Sequence, residues 1–104
     1  MGLRWHGTSV DAVDPARLAR WWAEVLGVRV LYEKHDMVGL PGLTFVRVEA
    51  VKTVRNRLHL ELACDNLAAD VERLMDMGAR PVDMAQKRVV LADPEGNEFC
   101  IVGS

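Results

Sequence analysis

Apolar residues recur at helical spacing in two separate stretches of the chain. Each set follows steps of three and four residues, which place its members along one side of an α-helix. The residues concerned are Leu18, Trp21, Trp22, Val25 and Leu26 in the first stretch, and Leu67, Val71, Leu74 and Met75 in the second. We therefore predict two amphipathic helices, near residues 14–26 and 66–77.

Residues typical of helix ends bound both predicted helices. Asp14 precedes the first helix and either Asp65 or Asn66 precedes the second, where a short polar side chain accepts hydrogen bonds from the first turn. Gly27 and Gly78 follow the last apolar residue of each stripe, where the chain commonly takes a left-handed conformation. The residues at the ends therefore support both helices.

Alternation of polar and apolar residues predicts strands on both sides of each helix. The clearest alternation covers residues 57–62, where the leucines are expected in the core and the intervening polar residues on the other face. The leucines are Leu58, Leu60 and Leu62, and the polar residues are Arg57, His59 and Glu61. The other predicted strands cover residues 5–12, 28–32, 44–51, 80–84, 88–92 and 98–102, with a tight turn at 93–97.

The two halves of the chain repeat one pattern. When the sequence is shifted by 51 residues, Asp14 falls on Asp65 and Gly27 falls on Gly78. Each half then consists of a strand, a helix and a hairpin. This order predicts an α+β fold in which the helices cover one face of a sheet.

The composition narrows the class of protein. The chain has 104 residues, enough for one domain with a modest core, so we expect an open cleft or a pocket shared with a second copy in a homodimer. A net charge of −2 gives no electrostatic surface for nucleic acid, and no apolar run approaches the roughly 18 residues that a membrane span needs. Two dispersed cysteines, Cys64 and Cys100, favour a reduced, cytoplasmic protein over a disulfide-linked one.

Four stretches, which cover nearly the whole chain in order, resemble one known family. They are Asp14-Pro15 to Leu26-Gly27, Lys52 to Leu62, Asp65 to Arg80, and Ala92-Asp93-Pro94-Glu95-Gly96-Asn97-Glu98-Phe99-Cys100. The chain resembles the glyoxalase, bleomycin-resistance and extradiol-dioxygenase group, which is the vicinal oxygen chelate superfamily, and within it the small glyoxalase-like domains. The resemblance implies a single domain of two βαβββ modules, about residues 1–52 and 53–104, whose curved mixed sheet surrounds an open cleft.

The resemblance also implies a set of metal-binding positions. In metal-using members each module supplies one ligand from its first strand and one from its last strand. Carried over to this chain, these positions fall on Thr8, Glu49, His59 and Cys100. Because His59, Glu49 and Cys100 carry side chains that bind divalent metals, the resemblance implies one zinc, nickel, iron or manganese ion. Thr8 is not an ordinary ligand and Cys100 replaces the usual Glu, so a cleft without any cofactor is the alternative.

Two functions follow from the resemblance. In the first, the metal polarises adjacent oxygens of a small substrate, with Glu49 and His59 as catalytic residues, in a lyase, isomerase or dioxygenase reaction. In the second, the cleft binds or sequesters a flat drug or metabolite without metal, as bleomycin-resistance proteins do. The side chains expected to contact the small molecule are Trp5, Thr8, Glu61 and Glu98. A structural or interaction domain without a small-molecule site is the third alternative.

Each candidate residue also has a simpler interpretation. His59 fits a polar residue on a solvated sheet face, and Glu49 and Glu98 fit solvated charges at strand ends. Cys100 fits a small buried apolar residue, which is how free cysteines most often behave. The three-dimensional arrangement decides which of these side chains meet.

Overall fold

The computed structural model describes residues 4–50, 54, 56 and 58–103. The chain divides into two compact units, Met1–Val51 and Lys52–Ser104. The elements of the first unit are β1 (Thr8–Ala12), α1 (Pro15–Leu26), β2 (Tyr32–Glu33), β3 (Met37–Leu40) and β4 (Leu43–Arg47). The elements of the second unit are β5 (Leu60–Cys64), α2 (Leu67–Asp76), β6 (Arg80–Met84), β7 (Arg88–Ala92) and β8 (Glu98–Gly103). The predicted α+β fold of two βαβββ modules is confirmed.

The two sheets share one strand order. The first sheet runs β1-β4-β3-β2 and the second runs β5-β8-β7-β6. In each sheet the strand before the helix pairs in parallel with the last strand of its unit, and the other pairs are antiparallel. The parallel pair is possible because the helix carries the chain back across the sheet between its two strands.

Both helices begin at the predicted type of cap. The Asp14 side chain accepts a hydrogen bond from the backbone N–H of Arg17 at 3.2 Å, and Gly27 ends α1 with a left-handed φ of 66°. Of the two candidates for the second cap, Asn66 is the one that accepts, from the N–H of Ala69 at 3.1 Å. The cap positions show that α2 begins 52 residues after α1.

Each unit buries apolar side chains between its helix and one face of its sheet. In the first unit, Trp22 of α1 is buried together with Val38 and Phe45, which are register partners on β3 and β4. In the second unit, a Cβ at Gly103 would lie 3.6 Å from the side chain of Leu67 on α2. Side chains alternate along a strand, so Phe99 and Ile101 share the face of β8 that α2 covers. We call the opposite face of each sheet, away from its helix, the open face.

Three strand predictions differ from the structure. The strand predicted at 57–62 lies at Leu60–Cys64, because its ladder with β8 begins at the pair Leu60 and Phe99. Leu58, predicted in the core, precedes that ladder and is 87% exposed, so the prediction was wrong; Arg57 lies outside the described residues. In the first unit the sequence did not predict β3, and β4 ends at Arg47 rather than at residue 51.

Neither helix in the described part of the chain combines the length and the apolar character that crossing a membrane requires. The longer of the two, α1, has 12 residues, and only one side of it is apolar.

Candidate functional site

The best-defined group of polar side chains lies on the open face of the second sheet. The Cys100 thiol on β8 accepts a hydrogen bond from the guanidinium of Arg88 on β7, with 2.9 Å between Sγ and Nη2. His59, immediately before β5, places its Nδ1 3.8 Å from the same sulfur. Glu61 on β5 lies with its Oε2 3.9 Å from Nη2 of Arg88. We call these four residues the Cys100 cluster.

The hairpin between β7 and β8 brings Arg88 to Cys100. Asp93 is fully buried, and its Oδ1 accepts the backbone N–H groups of Glu95 at 2.9 Å and Asn97 at 3.0 Å, which holds the turn closed. A turn of fixed length fixes the register of the strands that follow it. Val90 is therefore paired with Cys100, and Arg88 lies one step further along the same face.

The parallel pair of β5 and β8 brings the acidic and imidazole side chains to the cluster. Glu61 is the register partner of Cys100. Glu98, one step earlier on the same face of β8, is buried at 8% exposure, and its Oε1 accepts the backbone N–H of Asn56 at 2.7 Å. This bond ties the segment before β5 to the sheet, and His59 is at the end of that segment.

Electrostatics keep Arg88 charged at the centre of the cluster. The hydrogen bond to the Cys100 sulfur, and then the charges of Cys100 and Glu61, raise the pKa of the Arg88 guanidinium above its ordinary value. Cys100 itself has no exposed surface, whereas the side chains of Arg88 and Glu61 are 56% and 63% exposed. The cluster therefore presents a permanent cation at the surface with a thiol behind it.

The donor set was tested against the metal that the family resemblance implies. His59 and Cys100 offer nitrogen and sulfur ligands, which suit zinc. Within residues 4–50, 54, 56 and 58–103, however, no three His, Cys, Asp or Glu side chains are grouped to hold a metal ion. The Arg88 guanidinium also lies against the sulfur on which a cation would have to bind. The side chains of the second unit therefore do not fit a metal centre.

The correspondence between the two units changes the positions carried over from the family. β1 ends at Ala12, two residues before the cap Asp14, and β5 ends at Cys64, two residues before the cap Asn66. The offset before the helices is thus 52 residues and not 51. A shift of one residue moves a side chain to the other face of a strand, so the counterpart of Glu61 on the open face is Ser9.

The predicted residues of the first unit are placed as follows. Thr8 is the register partner of the buried Leu43, on the face that α1 covers and not on the open face. Glu49 lies in an exposed bend after β4 has ended, and Trp5 lies before β1 with 84% of its surface exposed. The structure brings His59, Glu61 and Cys100 together in the second unit, while the roles predicted for Thr8, Glu49 and Trp5 stay predictions.

The open face of the first sheet has different chemistry. Tyr32 on β2 packs its ring flat over Gly39 on β3, and a Cβ at Gly39 would overlap that ring. The ammonium of Lys34 lies 5.7 Å from the centroid of the same ring. The register places Thr44 next to Gly39, and Ser9 next to Thr44. This face therefore carries an aromatic ring and hydroxyl groups where the second sheet carries the Cys100 cluster.

Arg88 is the residue of the cluster that the sequence analysis missed. The signal was present, because the turn at 93–97 and the strands at 88–92 and 98–102 were both predicted. Counting outward from that turn pairs Ala92 with Glu98 and Val90 with Cys100, which puts Arg88 on their face. The count was not made, and so the cation beside Cys100 was not anticipated.

Comparison with known proteins agrees with this architecture. The model of a family described as "Glyoxalase-like domain" matches residues 7–102. No curated protein sequence matches the chain at a significant level.

Among solved structures, a glyoxalase/bleomycin resistance protein/dioxygenase family enzyme from Burkholderia phytofirmans PsJN superposes with a TM-score of 0.79 at 18% identity, over 92% of this chain and 94% of that one. A glyoxalase-related enzyme from Fulvimarina pelagi gives 0.75 at 18% identity, over 98% and 89%. TnmS3, an antibiotic binding protein from Streptomyces sp. CB03234, gives 0.62 at 20% identity, over 99% and 98%. At these identities the likeness concerns the fold alone.

Proposed function

Because the chain belongs to the glyoxalase-like domain family, we propose that it binds a small organic molecule on the open face of the second sheet, without a metal ion. Arg88 and His59 supply polar contacts there, and Glu61 lies at the edge of the same site. Binding sites of this kind combine apolar burial with a few fixed polar groups.

The observation that carries the proposal is the 2.9 Å contact between Nη2 of Arg88 and Sγ of Cys100. In metal-using members of the superfamily, the last strand of each module presents a ligand to a cation. Here the corresponding sulfur already faces a cation that belongs to the protein. Two positive charges at hydrogen-bond range of one sulfur repel each other strongly, so Arg88 disfavours a divalent ion at this position.

The relatives provide a precedent for binding without catalysis. TnmS3, which shares the fold over nearly the whole of both chains, is described as an antibiotic binding protein. Its example shows that a glyoxalase-like fold can serve as a binding protein, which is the class we propose for this chain. The identity of the ligand does not transfer at 20% sequence identity.

The proposal is tested by growing cells with added zinc, nickel, iron and manganese and measuring the metal content of the purified protein. We expect far less than one metal ion per chain. In a thermal-shift screen of small molecules, we expect stabilising ligands whose effect persists in EDTA, because a ligand at 100 times its Kd adds about 2.7 kcal/mol to stability. One metal ion per chain in the wild type, lost in His59→Ala, would contradict the proposal.

A second candidate is a metal-dependent lyase, isomerase or dioxygenase. The observation that favours it is the 3.8 Å distance between Nδ1 of His59 and Sγ of Cys100, which would allow the two atoms to share one ion if Arg88 moved away. The metal analysis decides between the candidates. If this second candidate is right, Cys100→Ser and His59→Ala each lower the metal content and Arg88→Met raises it.

We also propose, from the sequence, a homodimer in the cytoplasm. Val82 and Met84 on the edge strand β6 expose apolar side chains that a second copy would cover. Both cysteines of the second unit are free thiols, as a reducing compartment requires. Sedimentation equilibrium should give twice the chain mass; a monomer at all concentrations would exclude the dimer.

A further inference from the structure

Arg88 uses only part of its hydrogen-bonding capacity within the protein. Both of its side-chain contacts, to Sγ of Cys100 and to Oε2 of Glu61, are made by one nitrogen, Nη2. In the part of the chain that the structure describes, its Nη1 and Nε donate to no acceptor. Guanidinium nitrogens on one edge can bind both oxygens of a carboxylate at once.

The Cys100 contact holds this cation in place. An arginine on a surface strand normally samples many rotamers, and ordering it for a ligand costs free energy. The hydrogen bond to a fully buried sulfur fixes the end of the Arg88 side chain before any ligand arrives. Arg88 is therefore oriented in advance, with unused donors and with more than half of its side chain in contact with solvent.

The neighbouring carboxylate of Glu61 is a weak competitor. Its Oε2 lies 3.9 Å from Nη2, beyond ordinary hydrogen-bond range, and its side chain is 63% exposed. Exposed ion pairs of this kind contribute little to stability. A carboxylate from outside can therefore approach Arg88, although Glu61 opposes it by charge.

We propose that Arg88 is the anchor for a carboxylate group, so that the small molecule bound on the open face of the second sheet is an organic acid. The inference rests on the proposed function and specifies its ligand class. Arg88 determines specificity for the acid group, Cys100 positions Arg88, and Glu61 weakens binding by like-charge repulsion.

Benzoate and benzamide test the proposal, since they share a flat ring and differ in the charged group. We would titrate each into the 15N-labelled full chain at pH 7 and follow the amide and Arg Nε–H signals. We expect benzoate to bind about tenfold or more tightly than benzamide, the range that hydrogen bonds to a charged group provide. The largest shifts should fall on Arg88, Glu61 and Cys100.

Two variants with opposite expected signs sharpen the test. Arg88→Met keeps the apolar stem and removes the charge, so the preference for benzoate should disappear, and Arg88→Lys should retain only part of it. Glu61→Gln removes the competing carboxylate, so benzoate should bind severalfold more tightly. Arg73→Met on α2, which covers the other face of the sheet, makes the same change in net charge and should leave both affinities unchanged.

Each outcome decides the inference. Equal affinities for the two probes, or a benzoate preference that survives in Arg88→Met, would overturn the carboxylate anchor. If ligands from the EDTA-resistant screen bind without any preference for acids, the inference fails and the proposed function stands. If neither the probes nor any screened molecule binds, the proposed function fails as well.

Discussion

The two units are built on one plan and differ on one face. Their sheets have the same strand order, their helices have caps at equivalent positions, and both bury an aromatic residue on the strand that ends the unit. On the open face the register makes three pairs of positions equivalent: Ser9 with Glu61, Met37 with Arg88, and Thr44 with Cys100. The second unit has ionisable groups where the first has neutral ones.

The comparison separates what makes the fold from what makes the site. The residues shared by the units are the buried apolar ones and the caps, and these are sufficient to specify a strand, a helix and a hairpin twice. The residues that differ lie on the face that the helix leaves uncovered. A duplicated unit can therefore keep its stability while one copy acquires new chemistry, because the two properties depend on opposite faces of the same strands.

Matched truncations in the two cores should have the largest effect. Phe45 and Phe99 are fully buried on the core faces of β4 and β8, one in each unit. We expect Phe45→Ala and Phe99→Ala each to lower the free energy of unfolding by about 3–5 kcal/mol, through lost burial and the cavity that remains. Urea denaturation followed by far-UV circular dichroism measures both.

The control for these truncations is Trp5→Ala, which removes a larger ring from a site that is 84% exposed. Its cost should stay within about 0.5 kcal/mol. If one of the two phenylalanines cost no more than this control, the units would not contribute equally to stability, and the comparison would have to be abandoned.

A smaller effect should separate the two open faces. Gly39 in the first unit has no room for a Cβ beneath the Tyr32 ring, whereas its counterpart Val90 in the second unit carries a full side chain. Gly39→Ala should displace the ring and cost about 1 kcal/mol. In a Tyr32→Ala background the same change should cost less or become favourable, since glycine weakens a strand interior.

A double-mutant cycle in urea measures this coupling, which we expect to reach at least about 0.5 kcal/mol. Additive effects of Tyr32→Ala and Gly39→Ala would mean that the ring does not rest on the glycine. The first open face would then lack the aromatic feature that distinguishes it from the second.

Local signals predicted the fold, and the errors arose where a distant contact decides the outcome. The helices and their caps depend on residues three and four apart, so the sequence located them well. Leu58 continues the alternation of β5, but it lies beyond the ladder with β8, and only pairing shows where that ladder begins. β3 was missed because it contains Gly39, whose place in a strand becomes clear only from the ring of Tyr32 above it.

The site was predicted in part for the same reason. Alternation along β5 and β8 places Glu61 and Cys100 on one face, and the two are register partners. The position carried to Thr8 was on the wrong face, because a repeat of 51 residues was assumed where the caps give 52. Arg88 required the register of a hairpin, which is a contact between strands and not a pattern within one.

The smallest effect concerns the last residue of the strand before each helix, where the first unit has Ala12 and the second has Cys64. Burial, followed by the charges of Asp70 and Asp65, raises the pKa of the Cys64 thiol above its ordinary value of 9.0. The folded state therefore holds this proton more firmly than the unfolded chain does. The resulting stability is fully present below pH 9 and is lost as the pH rises through the folded-state pKa.

Replacing Cys64 with alanine makes the second unit match the first and removes this dependence. We expect the urea midpoint of the wild type to fall more steeply between about pH 8 and 10 than that of Cys64→Ala, with other titrating groups cancelling in the difference. Cys64→Ser serves as the packing control, because it keeps a small polar group that does not titrate in this range and should reproduce the shallower slope. Parallel pH profiles for all three proteins would show that the thiol is no more difficult to ionise in the folded chain than in the unfolded one, and the two strand ends would then be equivalent in charge as well as in position.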